Sequence, residues 1–421
     1  MIFFPLLVIV LGAFCCLSYR NQKLGIIVLF ALLPTYLVRF NIGPIPTTLL
    51  ECLVLVTIGI AMSRMSLKTS RPFSLKLQRA SRDVSTVWDS FGWYRIPFVL
   101  LLIGSVISTV IAPNLLAALG ILKAYIIEPM LLTFVIKFVM VDRKDIENII
   151  TALIGSGAFI GLLAILQILT HVGIPDAWAI ENRATSLYDY PNAVGLFLAP
   201  IVAMTMIKFS QTKKISLLVP ILLMLGGIVA AKTDAALVAI PIALVAISLI
   251  APIANRIKAG IITASILGAL TIGIFVPSIV QKITLRDSSG LVRRAQWSET
   301  LTMLADHPFL GAGLNGYSTA LIPYHDATFY EIFQYPHNIL LNIWSELGII
   351  GIIAFFIGVF LLVRTTWRRR DDALALAFSA ALLTMIIHGL VDVPFFKNDL
   401  AILTMFCMIG MMTKQKTQNH E

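Results

Sequence analysis

The run Tyr335-Pro336-His337-Asn338 sets a titratable imidazole and an amide directly before an apolar stretch, Ile339 to Val363. Both groups then stand at the mouth of a membrane helix, where a lipid-borne substrate meets water. An imidazole near its unperturbed pKa of ~6.5 is a workable base at neutral pH. Within the stretch, Trp344 lies seven residues from His337, on the same helical face. Glu346 lies nine residues on, which at ~100° per residue is the opposite face and roughly 13 Å deeper. A direct His337–Glu346 relay is therefore disfavoured, and Glu346 is expected to pair inside the bundle, because an ionisable group in hydrocarbon is costly unless partnered. Gly348 and Gly351 read as positions where a neighbouring helix packs closely.

Three further polar segments carry candidate groups. Glu181 through Asn192 contains Arg183, which either clamps a phosphate bidentately or is solvated surface, and Asn192 opens the following helix. Ser289 to Leu304 reads as a short helix on which Arg293, Trp297, Leu301 and Leu304 form one stripe, with Arg294 beside it. That helix is either interfacial, with snorkelling arginines, or lies against the membrane domain with Arg293 at the site. The Gly311-Ala312-Gly313-Leu314-Asn315-Gly316 run permits tight turns and lacks the strand that a dinucleotide-binding motif needs. His388 through Asp399 places an imidazole and carboxylates at helix ends, with helix capping the simple role for Asp392. The charges Arg39, Lys123, Glu128, Lys232 and Asp234 read as partnered in-membrane groups, unless the chain is a proton-coupled transporter in which they drive transport.

The elements that must position these groups are membrane helices. Composition is 58% hydrophobic and 13% charged, with mean hydropathy +0.91. Apolar windows long enough to span a bilayer recur near 3–18, 24–40, 46–63, 96–112, 116–140, 148–170, 192–208, 215–231, 235–252, 259–280, 339–363, 373–390 and 400–413. The chain therefore reads as an all-α polytopic membrane protein with about 12–14 transmembrane helices. Positive charge orients it: the loop Arg64 to Arg95 carries seven Lys and Arg against Asp83 and Asp89, so it is cytoplasmic. Counting spans outward, Arg20/Lys23, Arg143/Lys144, Lys208/Lys213/Lys214, Arg256/Lys258, Arg364 to Arg370 and Lys414/Lys416 fall on the same side. Residues 171–191, 281–338 and 391–399 fall on the external face. The net charge of +10 is then mostly this orientation signal facing anionic lipid, and its scatter over short loops argues against nucleic acid. Cys15, Cys16, Cys52 and Cys407 lie in apolar spans without metal or disulfide spacing. No acidic cluster suggests an oxygen-ligated metal site and no cofactor is implied. The start reads as an uncleaved first helix. Organisation is expected to be one membrane domain, 1–421, with an external insertion at 281–338.

Three segments together resemble the O-antigen ligase and O-antigen polymerase family of bacterial membrane glycosyltransferases. They are Arg183 through the Pro191-Asn192-x-x-Gly195 run to Pro200; Arg293-x-x-x-Trp297 through His307-Pro308-x-x-Gly311-x-Gly313; and His337-Asn338-x-x-Leu341 through Glu346-x-Gly348-x-x-Gly351. The His388 to Asp392 ending, with Asn398 beyond, is also similar, so the resemblance covers roughly residues 180–400. It implies a large membrane-glycosyltransferase (GT-C-like) helical architecture with an external loop over the site. It further implies metal-independent transfer of a glycan from undecaprenyl pyrophosphate to an acceptor hydroxyl of a saccharide at the outer face of the bacterial inner membrane. Under that resemblance His337 acts on the acceptor hydroxyl or steadies the pyrophosphate, and Arg183, Arg293 and Arg294 bind the pyrophosphate. Asn192, Asn338, Glu346, His388 and Asp392 support them. Many relatives carry a Ser-Arg-Gly-like turn after the eighth span, where this chain has Lys232-Thr233-Asp234-Ala235. The rival from another class is a polysaccharide or lipid-linked oligosaccharide flippase, against which stands the lack of repeat symmetry.

Overall fold

The computed structural model describes residues 3–43, 45–67, 84–275, 281 and 284–413. Half of the basic loop that orients the chain (68–83) lies outside the described residues, as do 276–280 of the tenth expected span, 282–283 of the expected insertion, and Lys414 and Lys416.

Each expected span falls on a helix. In order these are α1 (Phe3–Arg20), α2 (Gln22–Ala31), α3 (Leu49–Leu67), α4 (Arg95–Val110), α5 (Leu115–Val139), α6 (Arg143–Thr170), α7 (Pro191–Thr212), α8 (Leu218–Ala230), α9 (Asp234–Ile250) and α10 (Asn255–Phe275). After α11 (Ser288–Asp306), which lies in the expected insertion, come α12 (Ile339–Arg368), α13 (Ala373–His388) and α14 (Asn398–Met412). The protein is an all-α polytopic membrane protein. Among the described residues 5 helices are long and apolar enough to cross a membrane, namely α4 with its leading turn, α5, α6, α7 and α12. Six further apolar helices are shorter, at 10–17 residues.

The span expected at 24–40 departs most from its helix. α2 stops at Ala31 because Pro34 cannot continue the ladder; the chain passes through a 3-10 turn, Leu33–Leu37, into an antiparallel hairpin of β1 (Arg39–Ile42) and β2 (Ile45–Thr48). Arg39 is therefore on a hairpin and not inside a membrane helix. Lys123 does sit within a span, where a π-helical stretch, Leu122–Ile127, interrupts α5. It pairs with Glu51 of α3 and lies 3.6 Å from Glu128. These are the partners that a charge inside the bundle requires.

α7 is the central helix: 72% of its most apolar window is buried, against 39–44% for the other four long helices. It packs along α13, while α6 packs along α8 and α4 along α12. Pro191 occupies its first turn, where a missing N–H costs nothing, and this fixes the direction from which Tyr190 and the preceding loop arrive.

α12 is kinked at Gly348 (φ 62°, ψ −161°), a backbone state open to glycine alone. The kink frees backbone groups that the Gly-rich run satisfies from outside. Ala312 N donates to Ser345 O at 2.7 Å, Ile349 N to Phe309 O at 2.9 Å, and Trp344 Nε1 to Pro308 O at 2.7 Å. Asn315 N donates to the Glu346 carboxylate. Glu346 thus finds a backbone amide of the loop as its partner, and Gly348 serves a backbone turn where the sequence suggested helix packing.

The stretch leading to α12 is organised around α11. Glu299 accepts from His325 Nδ1 (2.9 Å), Ala327 N (3.1 Å) and Tyr330 Oη. Burial opposes ionisation of Glu299, but the Tyr330, His325 and Ala327 hydrogen bonds outweigh it and hold the carboxyl below its usual range. Gln296 Nε2 and Trp297 Nε1 donate to the carbonyls of Tyr335 (3.0 Å) and Pro336 (2.8 Å), so α11 pins the backbone that enters His337. Of the expected stripe, Leu304 is buried while Leu301 faces outward.

Candidate active site

His337 occupies the left-handed region (φ 48°), uncommon for a residue with a Cβ and therefore held by its surroundings. The pinned carbonyls of Tyr335 and Pro336 precede it, and Asn338 follows as the cap of α12. The Asn338 side chain accepts from Leu340 N and Leu341 N at 3.0 and 3.1 Å and donates to Leu390 O at 3.0 Å. The His337 ring lies edge-on to Phe333 and Tyr335, with centroids at 5.3 and 4.9 Å. Its Nδ1 is 3.3 Å from Asp392 Oδ1.

Asp392 is the hub. It sits in the turn between α13 and α14, 2% exposed, and accepts from Val393 N at 2.8 Å and from Asn192 Nδ2 at 3.2 Å. Asn192 Oδ1 in turn accepts from Arg183 Nη2 at 2.9 Å. One hydrogen-bonded chain therefore joins Arg183, Asn192, Asp392 and His337. Arg293 reaches the same turn, its Nε donating to Val391 O at 3.1 Å and its Nη1 to Ser289 Oγ at 3.3 Å. His388 is buried at the end of α13, beside Asp392.

Two of the expected residues fall elsewhere. Successive residues on a helix point ~100° apart, so with Arg293 turned to Val391, Arg294 is exposed and lines a shallow cavity with Leu291, Ala295 and Phe329. Glu346 is bound to Asn315 N, below the His337 level.

Arg183 is not solvated surface. Its Nε donates to Ala231 O at 3.1 Å, and its guanidinium stacks on Trp178 at 5.3 Å. Lys232 donates to Glu181 O at 2.6 Å, so the turn that departs from the family pattern steadies the Arg183 loop.

Burial alone would raise the Asp392 carboxyl. The hydrogen bond and charge of His337, the charge of His388 and the Val393 amide outweigh it and hold it at about 2. An ionised carboxylate only accepts, so His337 Nδ1 carries the proton of their hydrogen bond. The folded value lies below the ordinary 3.8, so the stabilisation is fully present above that value and is lost as pH falls toward about 2. Asp392→Asn, which cannot ionise, is expected to flatten this part of the acid limb. Its unfolding temperature in detergent should fall less than that of the wild type between about pH 4 and about pH 2. Parallel curves for the two proteins would mean that another group titrates.

Beside this chain lies a polar cavity of about 740 Å³, bordered by Tyr335 and Tyr190 and lined also by Arg39, Asn342, Lys397 and Asn398. The sequence did not single out Arg39 or Asn342 for a site. Pro34, which ends α2 early, was the signal that Arg39 lies outside a helix. Among the described residues no group of three or more His, Cys, Asp or Glu could hold a metal ion.

The family model described as O-antigen ligase matches residues 219–356. The match takes in Arg293, Arg294, His337, Asn338 and Glu346, and leaves Arg183, Asn192, His388 and Asp392 beyond its ends. No curated protein matches the chain. The matched stretch and the multi-pass helical architecture around it support the O-antigen ligase/polymerase family for this chain.

Proposed function

We propose that the protein is a metal-independent glycosyltransferase that moves a glycan from undecaprenyl pyrophosphate to a saccharide hydroxyl at the outer face of the bacterial inner membrane. The observation that carries this reading is the His337–Asp392 pair, in which Asp392 Oδ1 lies 3.3 Å from His337 Nδ1 and orients the ring at the mouth of α12. In the reaction, Nε2 takes the proton of the acceptor hydroxyl as its oxygen bonds to the anomeric carbon. The anomeric C–O bond to phosphate breaks, and undecaprenyl pyrophosphate leaves with the electron pair. Arg293, bonded to the Asp392 turn, and Arg183, joined to it through Asn192, neutralise charge that grows on the leaving group; such preorganised donors act most strongly in the transition state. Asn192 and Asn338 hold the arginine and the helix mouth in register, and His388 supports Asp392. Arg294, on the exposed face, has no part in this chain of contacts.

The direct test is transfer from purified lipid-linked donor by protein in nanodiscs, with and without a chelator. Unchanged activity is expected, and loss on chelation would sink the metal-free mechanism.

Orientation is tested separately. Ser289→Cys and Tyr324→Cys should label with an impermeant thiol reagent in intact cells, and Ser85→Cys should not. Labelling of the Ser85 variant alone would put the proposed site in the cytoplasm.

A further inference from the structure

The polar cavity of about 740 Å³ falls within the ~300–1,000 Å³ range of small-molecule sites. It is built at one end of the bundle where the hairpin, the first turns of α3 and α12, α5, the Asp189-Tyr190 corner and the turn before α14 meet. Four buried polar atoms without a hydrogen-bond partner belong to its lining: Tyr190 Oη, Asn342 Nδ2, Lys397 Nζ and Asn398 Oδ1. Asn342 and Asn398 are 1% and 4% exposed. Buried polar groups are nearly always satisfied, and four orphans around one void point to a ligand with many donors and acceptors.

The remaining lining narrows the chemistry. Arg39 and Lys397 share the lining with Asp189, Glu51 and Glu346, and Lys123 pairs with Glu51 from outside it, so the formal charges balance and leave no net positive field for a bare polyphosphate. Tyr36, Tyr125 and Tyr335 line the cavity as well, so aromatic rings stand among these polar groups. Lys397 is held over the Tyr190 ring at 4.1 Å, its Nζ still unpaired. Flat apolar faces alternating with amides, carboxylates and an ammonium match a sugar ring, whose C–H faces alternate with hydroxyls.

We propose that this cavity is a saccharide subsite, holding a pyranose ring of one of the two glycans that the protein joins, with Tyr190, Asn342, Lys397 and Asn398 binding its hydroxyls. The assignment to a substrate glycan rests on the glycosyltransferase reading; the binding of a sugar ring does not. Tyr335 lines the cavity and touches His337, which places the seated ring next to the proposed base.

The test is saturation-transfer NMR on the full-length protein in nanodiscs. The probe is the lipid-free oligosaccharide released by mild acid from the envelope polysaccharide of the same cells. It should bind the wild type, and it should bind His337→Ala equally well whatever that variant does to transfer, which separates this inference from the catalytic one. Asn342→Leu and Lys397→Met should weaken binding by about tenfold, since each removes a buried partner of a substrate hydroxyl. Tyr190→Phe, which deletes one oxygen, should do so by a smaller factor and serves if either of the others fails to fold. In steady-state transfer, a raised KM for the lipid-linked donor assigns the ring to the donor glycan, and a raised KM for the acceptor assigns it to the acceptor; both outcomes uphold the subsite. No signal on the wild type, unchanged binding in folded variants, or displacement of the oligosaccharide by inorganic pyrophosphate would overturn it.

Discussion

His337→Ala is expected to lower glycan transfer by ~10²–10⁴-fold, the usual cost of removing a general base, while the protein stays inserted and folded. Little packing is lost, because the ring is partly exposed and meets Phe333 and Tyr335 only at their edges. The variant leaves Asp392 with its Asn192 and Val393 donors, so the hub stays satisfied on two sides. His337→Gln separates two roles. An amide can still donate to a pyrophosphate but cannot take a proton at neutral pH, so a base predicts that both variants are inactive, whereas a phosphate contact predicts partial recovery in Gln. Assays from pH 5 to 9 add a second readout: activity that depends on a neutral imidazole rises with pH through its titration and that limb vanishes in both variants. Near-normal transfer by Ala and Gln would remove His337 from the mechanism.

Gly348→Val should abolish the folded protein, the largest stability effect expected in the chain. At φ 62° and ψ −161° a β-branched residue is excluded, and a Cβ built there meets Phe309 O at 2.3 Å. The clash falls on backbone that donates and accepts across the kink, so relief requires the 309–315 loop to leave α12. Residues of that loop then lose the contacts of Ala312, Asn315 and Ile349 together. The cost is several kcal/mol, from strain of ~1–3 kcal/mol plus unsatisfied buried amides at ~1–3 kcal/mol each. Gly358→Ala, ten residues along the same helix, is the control: nothing lies within 4 Å of its Cβ, and the alanine should be neutral or stabilising by about 0.5–1 kcal/mol. Size-exclusion profiles in detergent and the thermal midpoint decide. A Gly348→Val protein that elutes and melts like the wild type would show that the loop does not brace the helix.

The helical positions were legible in the sequence because bilayer-length apolar runs with scattered basic loops admit few other readings. The candidate site was legible as residue types near helix mouths, and Arg183, Asn192, His337 and Asp392 do meet in one hydrogen-bonded chain. How they meet was not. Asp392 read as a helix cap, and its binding of His337 and Asn192 spans 55 and 200 residues of sequence, which no local pattern encodes. Glu346 called for a partner, but a backbone amide 31 residues earlier carries no side-chain signature. Glycine in an apolar helix is equally consistent with close packing and with a kink, so Gly348 was ambiguous until its torsions were seen. Arg294 stands apart from the chain for a simpler reason: adjacent residues on a helix point ~100° apart, so it is turned away when Arg293 meets Val391.

The bond between the 309–315 run and α12 makes the stretch between α11 and α12 a splint for a membrane helix. That stretch is therefore not an interchangeable module. A chimera that imports the whole stretch between α10 and α12 from a relative, in search of a new acceptor preference, would also import the hydrogen bonds that set the bend at Gly348. Grafts confined to 317–334 leave the splint and the His337 entry native, provided that they keep His325, Ala327 and Tyr330, which hold Glu299 of α11.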